Sequence, residues 1–376
     1  MLLILVMQAC LAAALVATAA ALAPAPVPPH AAAPARSPQG LENKYWAWRG
    51  QAIRYQATEP TTPTGQKALL VHGLFVNADH WRKTLKALSE AGVTAYAIDL
   101  LGCGWSSKPH PTSDEAKALS GEKGRDELDP VATFQGVELG TASGKLRTVS
   151  FVDKRHPVDG SCYNFYTWAE QLCDFTDEVI GGDCALICNS IGTISSLQAC
   201  LDKPDLFTGL LTVSPNFREL HTAEASPLAM PLVKTVQRLL RERGQGLFDA
   251  LANANTVKNI LKEPYAVKEA VTDELVDVLL TPLLTEGAAD VVFDTLSYSA
   301  GPLPEDQLAR LPGDLPVWVC YGGSDPWTPP KRVDALRRFD AVEEVRAFSE
   351  VGHCPHDEAP ERVNPFVLEF LARLRE

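Results

Sequence analysis

Although the chain has nine cysteines, it lacks any pattern that would put them to work. There is no C-x-x-C pair and no Cys/His spacing that would hold zinc, which excludes the common structural zinc sites. There is also no cluster of Lys and Arg, and the net charge is −13. Nucleic acid is thereby excluded as a main partner, because phosphate contacts need grouped cations. No nucleotide-phosphate loop and no metal-ligand cluster occurs, so the motifs imply neither a cofactor nor a metal. No internal repeat is present. The composition, 46% hydrophobic and 22% charged, is that of an ordinary globular protein and excludes whole-chain disorder. Finally, the N-terminus lacks acid: no Asp or Glu precedes Glu42.

What stands at the N-terminus is apolar. Met1 to Ala23 carries Gln8 as its only strongly polar side chain, and a run of ~20 apolar residues is long enough to span a bilayer. Its place at the start of the chain, with Ala17-Thr18-Ala19 and Ala19-Ala20-Ala21 as cleavage sites, reads as a signal peptide over 1–23. A retained anchor is the alternative. Residues 24–41 are rich in Ala and Pro, contain Arg36 and Ser37, and hold no acid, which suggests a transit segment. Joined at Ala21-Leu22-Ala23-Pro24, the two resemble the bipartite leader of algal plastids surrounded by extra membranes. The expected location is a plastid; secretion or membrane anchoring is the alternative. Cys184, Cys188 and Cys320 lie inside apolar runs and read as buried free thiols, which suits a reducing stroma.

Length alone, 376 residues, suggests two or three domains at ~150 residues each. Setting the leader aside leaves a single domain, 42–376. Its apolar runs at Ala68–Val71, Val93–Ile98, Cys184–Cys188, Leu210–Val213, Val317–Tyr321 and Val345–Phe348 read as buried strands. Helical stretches alternate with them at Asp79–Glu90, Phe165–Val179, Ile191–Asp202, Lys331–Arg338 and Glu361–Leu374. This alternation predicts an α/β fold whose mostly parallel sheet has helices on both faces. Tyr45–Trp48 and Ile53–Gln56 read as a leading antiparallel hairpin. Two stretches break the rhythm. The polar segment 110–161 is an insertion whose Leu146–Val152 part has strand character. The segment 218–312 is mainly helical, with apolar clusters at Leu228–Leu240, Leu247–Leu251, Leu275–Leu284 and Val291–Leu296. Lying between two core strands, it is expected to form a lid over the C-terminal strand edge, where α/β ligand sites occur.

Four pieces carry chemistry. Leu186-Ile187-Cys188-Asn189-Ser190-Ile191-Gly192 runs from an apolar strand through small-x-Ser-x-Gly into a helix, the shape of a nucleophile elbow. The competing reading is that Ser190 only caps the helix. Val71-His72-Gly73-Leu74-Phe75 follows the first buried strand and would supply an oxyanion donor, Leu74 or alternatively Phe75, beside the Ile191 amide. His72 is expected to bond loop backbone. Asp325 follows a strand in Gly322-Gly323-Ser324-Asp325-Pro326, placed either to hold an imidazole or to form an Asx turn. His353, in Val351-Gly352-His353-Cys354-Pro355-His356, is the candidate base, with His356 in reserve. The order Ser190, Asp325, His353 is that of a Ser-acid-His triad.

At these residues the chain resembles the α/β-hydrolase superfamily. Its nearest likeness there is the plastid and cyanobacterial branch that includes chlorophyll-dephytylating enzymes. Further matching stretches are Tyr45-Trp46-Ala47-Trp48-Arg49-Gly50, Asp79-His80-Trp81-Arg82, Asp99-Leu100-Leu101-Gly102-Cys103-Gly104-Trp105-Ser106 and Gly352-His353-Cys354-Pro355-His356-Asp357-Glu358-Ala359-Pro360. Cys188, where Gly is usual, and Cys103, where an aromatic is common, depart from the pattern. The resemblance implies a serine hydrolase acting on an ester of a lipophilic substrate: a phytyl ester of chlorophyll or pheophytin, or a lipid acyl ester. Transient membrane association would go with such a substrate. A Ser at 190 disfavours dehalogenases and epoxide hydrolases, which carry Asp there. A cofactor-free haloperoxidase shares the triad and stays open, as does a non-catalytic binding protein.

Overall fold

The computed structural model describes residues 33–120, 137–149, 156–218 and 230–375. The expectations for residues 1–23 and for 24–32 lie outside the described residues. The strands are β1 (Lys44–Trp48), β2 (Gln51–Ala57), β3 (Lys67–Val71), β4 (Thr94–Ile98), β5 (Val137–Gly140), β6 (Leu146–Val149), β7 (Cys184–Asn189), β8 (Phe207–Val213), β9 (Val317–Gly322) and β10 (Val342–Phe348). Eight of them form one sheet in the order β1-β2-β4-β3-β7-β8-β9-β10. β2 is antiparallel to both β1 and β4, and every other pair is parallel. The expected hairpin and mostly parallel sheet are both present.

The helices are α1 (Arg82–Glu90), α2 (Asp114–Leu119), α3 (Phe165–Phe175), α4 (Gly192–Asp202), α5 (Met230–Arg243), α6 (Gln245–Leu251), α7 (Ala254–Leu261), α8 (Asp273–Leu283), α9 (Ala288–Ser297), α10 (Pro304–Arg310), α11 (Pro330–Asp334), α12 (Pro355–Glu358) and α13 (Pro360–Arg373). Two-residue alternation along the strands splits the core. Leu69, Val71, Leu186 and Cys188 face one side with Trp168, Phe175, Ile194 and Leu197 of α3 and α4. Ala68, Leu70, Ala185 and Ile187 face the other with Leu85, Leu88, Phe366 and Phe370 of α1 and α13. Covered on both faces, β7 and β9 are buried at every position, which is why they read as unbroken apolar runs.

Both interruptions of the rhythm have a place in the fold. β5 and β6 form a separate two-stranded sheet, so the strand character expected at Leu146–Val152 resolves into Leu146–Val149, with the rest outside the described residues. Helices α5 to α10 fill the segment between β8 and β9. Tyr265, Val271, Leu275, Val276, Val278 and Leu279 there form a small core of their own with Cys354.

A buried ion cluster fixes the loops at the top of the sheet. Arg54, with no exposed side-chain surface, bonds Asp99 at 3.1 Å and Asp79 at 2.8 Å. Asp99 in turn accepts the Ala78 and Trp105 amides at 2.7 and 2.8 Å. Burial pushes the Asp79 carboxyl up, and the Arg54 guanidinium pulls it partly back. The three side chains thus staple β2 to the loops after β3 and β4.

Candidate active site

Ser190 sits at the turn between β7 and α4 with φ at +53°, the left-handed region that costs a non-glycine residue about 1–2 kcal/mol. The N-cap of α4 is Ile191 and not Ser190, and the Ser190 hydroxyl bonds no amide of that helix, so the helix-cap reading fails. Gly192 makes the tight turn possible: a Cβ there would meet the His72 and Val71 carbonyl oxygens at 2.7 and 2.9 Å. Cys188 needs no such room. It lies in regular strand, fully buried, with its thiol 3.5 Å from the Leu211 carbonyl oxygen, and burial pushes that thiol up to about 11. It is an inert filler of the Gly position.

Asp325, in the loop just after β9, makes both of the contacts weighed as alternatives for it. One carboxylate oxygen accepts the Trp327 and Thr328 amides at 2.8 and 3.0 Å, an Asx turn. The other lies 2.7 Å from His353 Nδ1. Burial works to raise the Asp325 carboxyl, but the His353 ring together with the Trp327 and Thr328 hydrogen bonds turns the net direction down. Asn189, the residue before Ser190, reaches the His353 carbonyl oxygen at 3.5 Å, so the His353 loop rests against the Ser190 turn. The Ser190 hydroxyl makes no hydrogen bond among the described residues.

Two features complete the site. Neither the Leu74 nor the Ile191 amide has a hydrogen-bond partner among the described residues, and the Phe75 amide is equally free. Beside them runs an apolar cleft whose walls include Leu74, Ile191, Trp168 and Cys103 on the sheet side and Leu279 and Leu283 of α8. His72 has the structural role expected of it: Nδ1 donates to the Gly73 carbonyl at 2.7 Å, and Nε2 accepts the Leu100 amide at 3.1 Å. His356 is drawn away from the site. It is fully buried, packs 4.1 Å from the Trp81 ring and lies 3.3 Å from His80 Nδ1.

The sequence pattern of the alpha/beta hydrolase family matches residues 68–366. The chain belongs to the alpha/beta hydrolase family. It is related to the chloroplastic pheophytinase of Arabidopsis thaliana, with 26% identity over 351 residues covering 89% of this chain and 67% of that one. Among solved structures, a putative acyltransferase from Salmonella enterica superposes with a TM-score of 0.63 at 17% identity, over 91% of this chain and 98% of the other. An esterase from Thermogutta terrifontis gives 0.55 at 18% identity, over 87% and 95%. At such identities these two establish the fold of the alpha/beta hydrolase family and nothing finer.

Within this alpha/beta hydrolase, the structure adds residues that sequence reasoning missed. Thr328 Oγ1 lies 3.3 Å from His353 Nδ1, and the Trp327 ring packs 5.0 Å from the imidazole. Their nearness to Asp325 in the chain was the available signal. All eight cysteines among the described residues are free, and all but Cys103 are buried.

Proposed function

We propose that this hydrolase cleaves a carboxylic ester of a lipophilic substrate through Ser190, His353 and Asp325. The observation that carries the reading is the 2.7 Å bond from Asp325 to His353 Nδ1. With Nδ1–H donating to Asp325, the lone pair of Nε2 is left to take the Ser190 proton. Oγ then bonds to the ester carbonyl carbon, and its electron pair moves onto the oxygen, which the Leu74 and Ile191 amides receive. Collapse expels the alcohol with the proton held by His353. Water, deprotonated by the same ring, attacks the acyl-enzyme and releases the acid. Asp325 holds the tautomer and stabilises the imidazolium between these transfers.

The cleft supports a greasy substrate, since Leu74, Trp168, Ile191, Leu279 and Leu283 make most of its lining apolar. The related protein is named a pheophytinase and chloroplastic. A phytyl ester is therefore the first substrate to test, a lipid acyl ester the second, and a plastid the location. Helices α5 to α10 act as the lid in this reading. A fluorophosphonate probe should label the wild type and leave Ser190→Ala unlabelled; labelling of both, or of neither, would refute the mechanism. Purified pigment esters and galactolipids, assayed against both proteins, would then decide the ester.

A further inference from the structure

Glu358, the last residue of α12, is used by no step of the chemistry above, yet its carboxylate is the most heavily bonded group beside the site. Oε1 accepts the Cys354 amide at 3.0 Å, and Oε2 accepts the Gly352 amide at 2.9 Å. These are the two amides that flank His353. Oε2 also accepts the Ala266 and Val267 amides at 2.7 and 3.0 Å, which belong to the strap between α7 and α8. The strap returns the contact, because the Pro264 carbonyl accepts the His353 amide at 2.8 Å. Gly352 is the point of closest approach. A Cβ there would lie 2.2 Å from the Pro264 oxygen and 2.6 Å from the Ala266 nitrogen. The Tyr265 hydroxyl pins the strap again, donating to Asp357 at 3.0 Å.

We infer that Glu358 is a positioning residue. It fixes His353 by gripping the amide on either side of it, and the same carboxylate binds the Pro264–Val267 strap, so His353 is held in place only while the strap is docked. A carboxylate is suited to this because it accepts on both oxygens, and bonds from N–H groups to a charged acceptor are about twice as strong as neutral ones. Uncharged side chains of similar size cannot replace it: a Gln amide has one accepting oxygen, and its NH₂ would face amide donors. The inference rests on the reading of His353 as the general base.

The test compares wild type, Glu358→Ala and Glu358→Gln on the preferred ester, with kcat counted per titrated active site. A displacement of about 1 Å at a catalytic group costs roughly 100-fold. The Ala variant should therefore lose about 100-fold in kcat with KM within about threefold, and Gln should lie between it and wild type. Simple destabilisation would lower the number of active sites and leave kcat per site unchanged. That result in folded Glu358→Ala overturns the inference, and so does wild-type kcat per site in Glu358→Gln if the Ala variant fails to fold. Hydrogen exchange on the wild type tests the coupling separately. The Gly352, Cys354, Ala266 and Val267 amides should share one protection level, and fast exchange confined to 266 and 267 would refute it. Activity persisting in Ser190→Ala would instead sink the reading of the reaction and leave the exchange result standing.

Discussion

Acidification should destabilise the fold through a histidine that takes no part in the chemistry. His80 is buried at 1% exposure, with Nε2 against the Tyr265 hydroxyl at 2.8 Å and Nδ1 facing His356 at 3.3 Å. Burial lowers its pKa from 6.5 to about 4; the nearby Asp357 opposes the shift and Arg82 adds to it. The folded protein therefore carries His80 neutral where the unfolded chain would protonate it. Between those two values the unfolded state binds more protons, so stability rises with pH. The contribution is complete above pH 6.5 and is lost as pH falls toward 4. Taking the two values, protonation in the unfolded state costs about 2 kcal/mol at pH 5 relative to pH 8. Burial lowers His356 and His72 as well, so the wild type should lose more than this. Urea unfolding at both pH values would measure it. His80→Gln removes the titrating group, so it should lose about 2 kcal/mol less than wild type between pH 8 and pH 5, whatever its stability at pH 8. An equal pH dependence in the two proteins would refute the argument.

Four other outcomes are expected. Asp325→Asn should lower kcat by about 10³–10⁴-fold with little change in KM, because the amide favours the wrong tautomer of His353; steady-state kinetics on the preferred ester would show it. Against the upward push of burial, His353 and the Trp327 and Thr328 hydrogen bonds hold the Asp325 carboxyl below its ordinary value of 3.8. Its share of stability should thus be intact above that pH and fall away only below it, as acid unfolding of Asp325→Asn against wild type would reveal. Gly192→Ala should cost about 1–3 kcal/mol or prevent folding, since its Cβ meets backbone oxygens that have nowhere to move, and Cm in urea would report it. Leu283→Trp should raise KM for a long-chain ester by about tenfold, roughly the worth of 1–2 buried methylenes. Turnover of a short acetyl ester should stay within about twofold.

The strands were legible because the sheet buries both faces, and an apolar run such as Leu186-Ile187-Cys188 has few other homes. The candidate site residues stood out because each lies past the end of a strand: Ser190 next to β7, Asp325 in the turn after β9 and His353 in the loop after β10. What escaped reading was long-range pairing. Arg54 alternates with Ile53 and Tyr55 as an outward residue of a hairpin would, yet it is wholly buried because Asp79 and Asp99 converge on it from 25 and 45 residues away. No periodicity reports such a meeting. Glu358 was equally silent, since nothing in its neighbourhood announces that two of its four amide donors come from residues 266 and 267.

The departure at Cys188 shows which part of the elbow pattern is physical necessity. The usual Gly-x-Ser-x-Gly writes two glycines symmetrically about the nucleophile, but the structure treats the two positions differently. The positive φ falls on Ser190 itself, so neither flanking residue is required for a left-handed backbone. Position 192 is bound by contact instead: helix α4 crosses the strand ends so closely that two carbonyl oxygens occupy the volume of a Cβ. Position 188 points into the helical layer, where a thiol fits between Leu211 and Thr193. A small side chain satisfies it, and extra volume there is packed like any other core atom. The chain has accordingly kept Gly at 192 and replaced it at 188, and the same distinction predicts that Cys188→Ala is tolerated where Gly192→Ala is not.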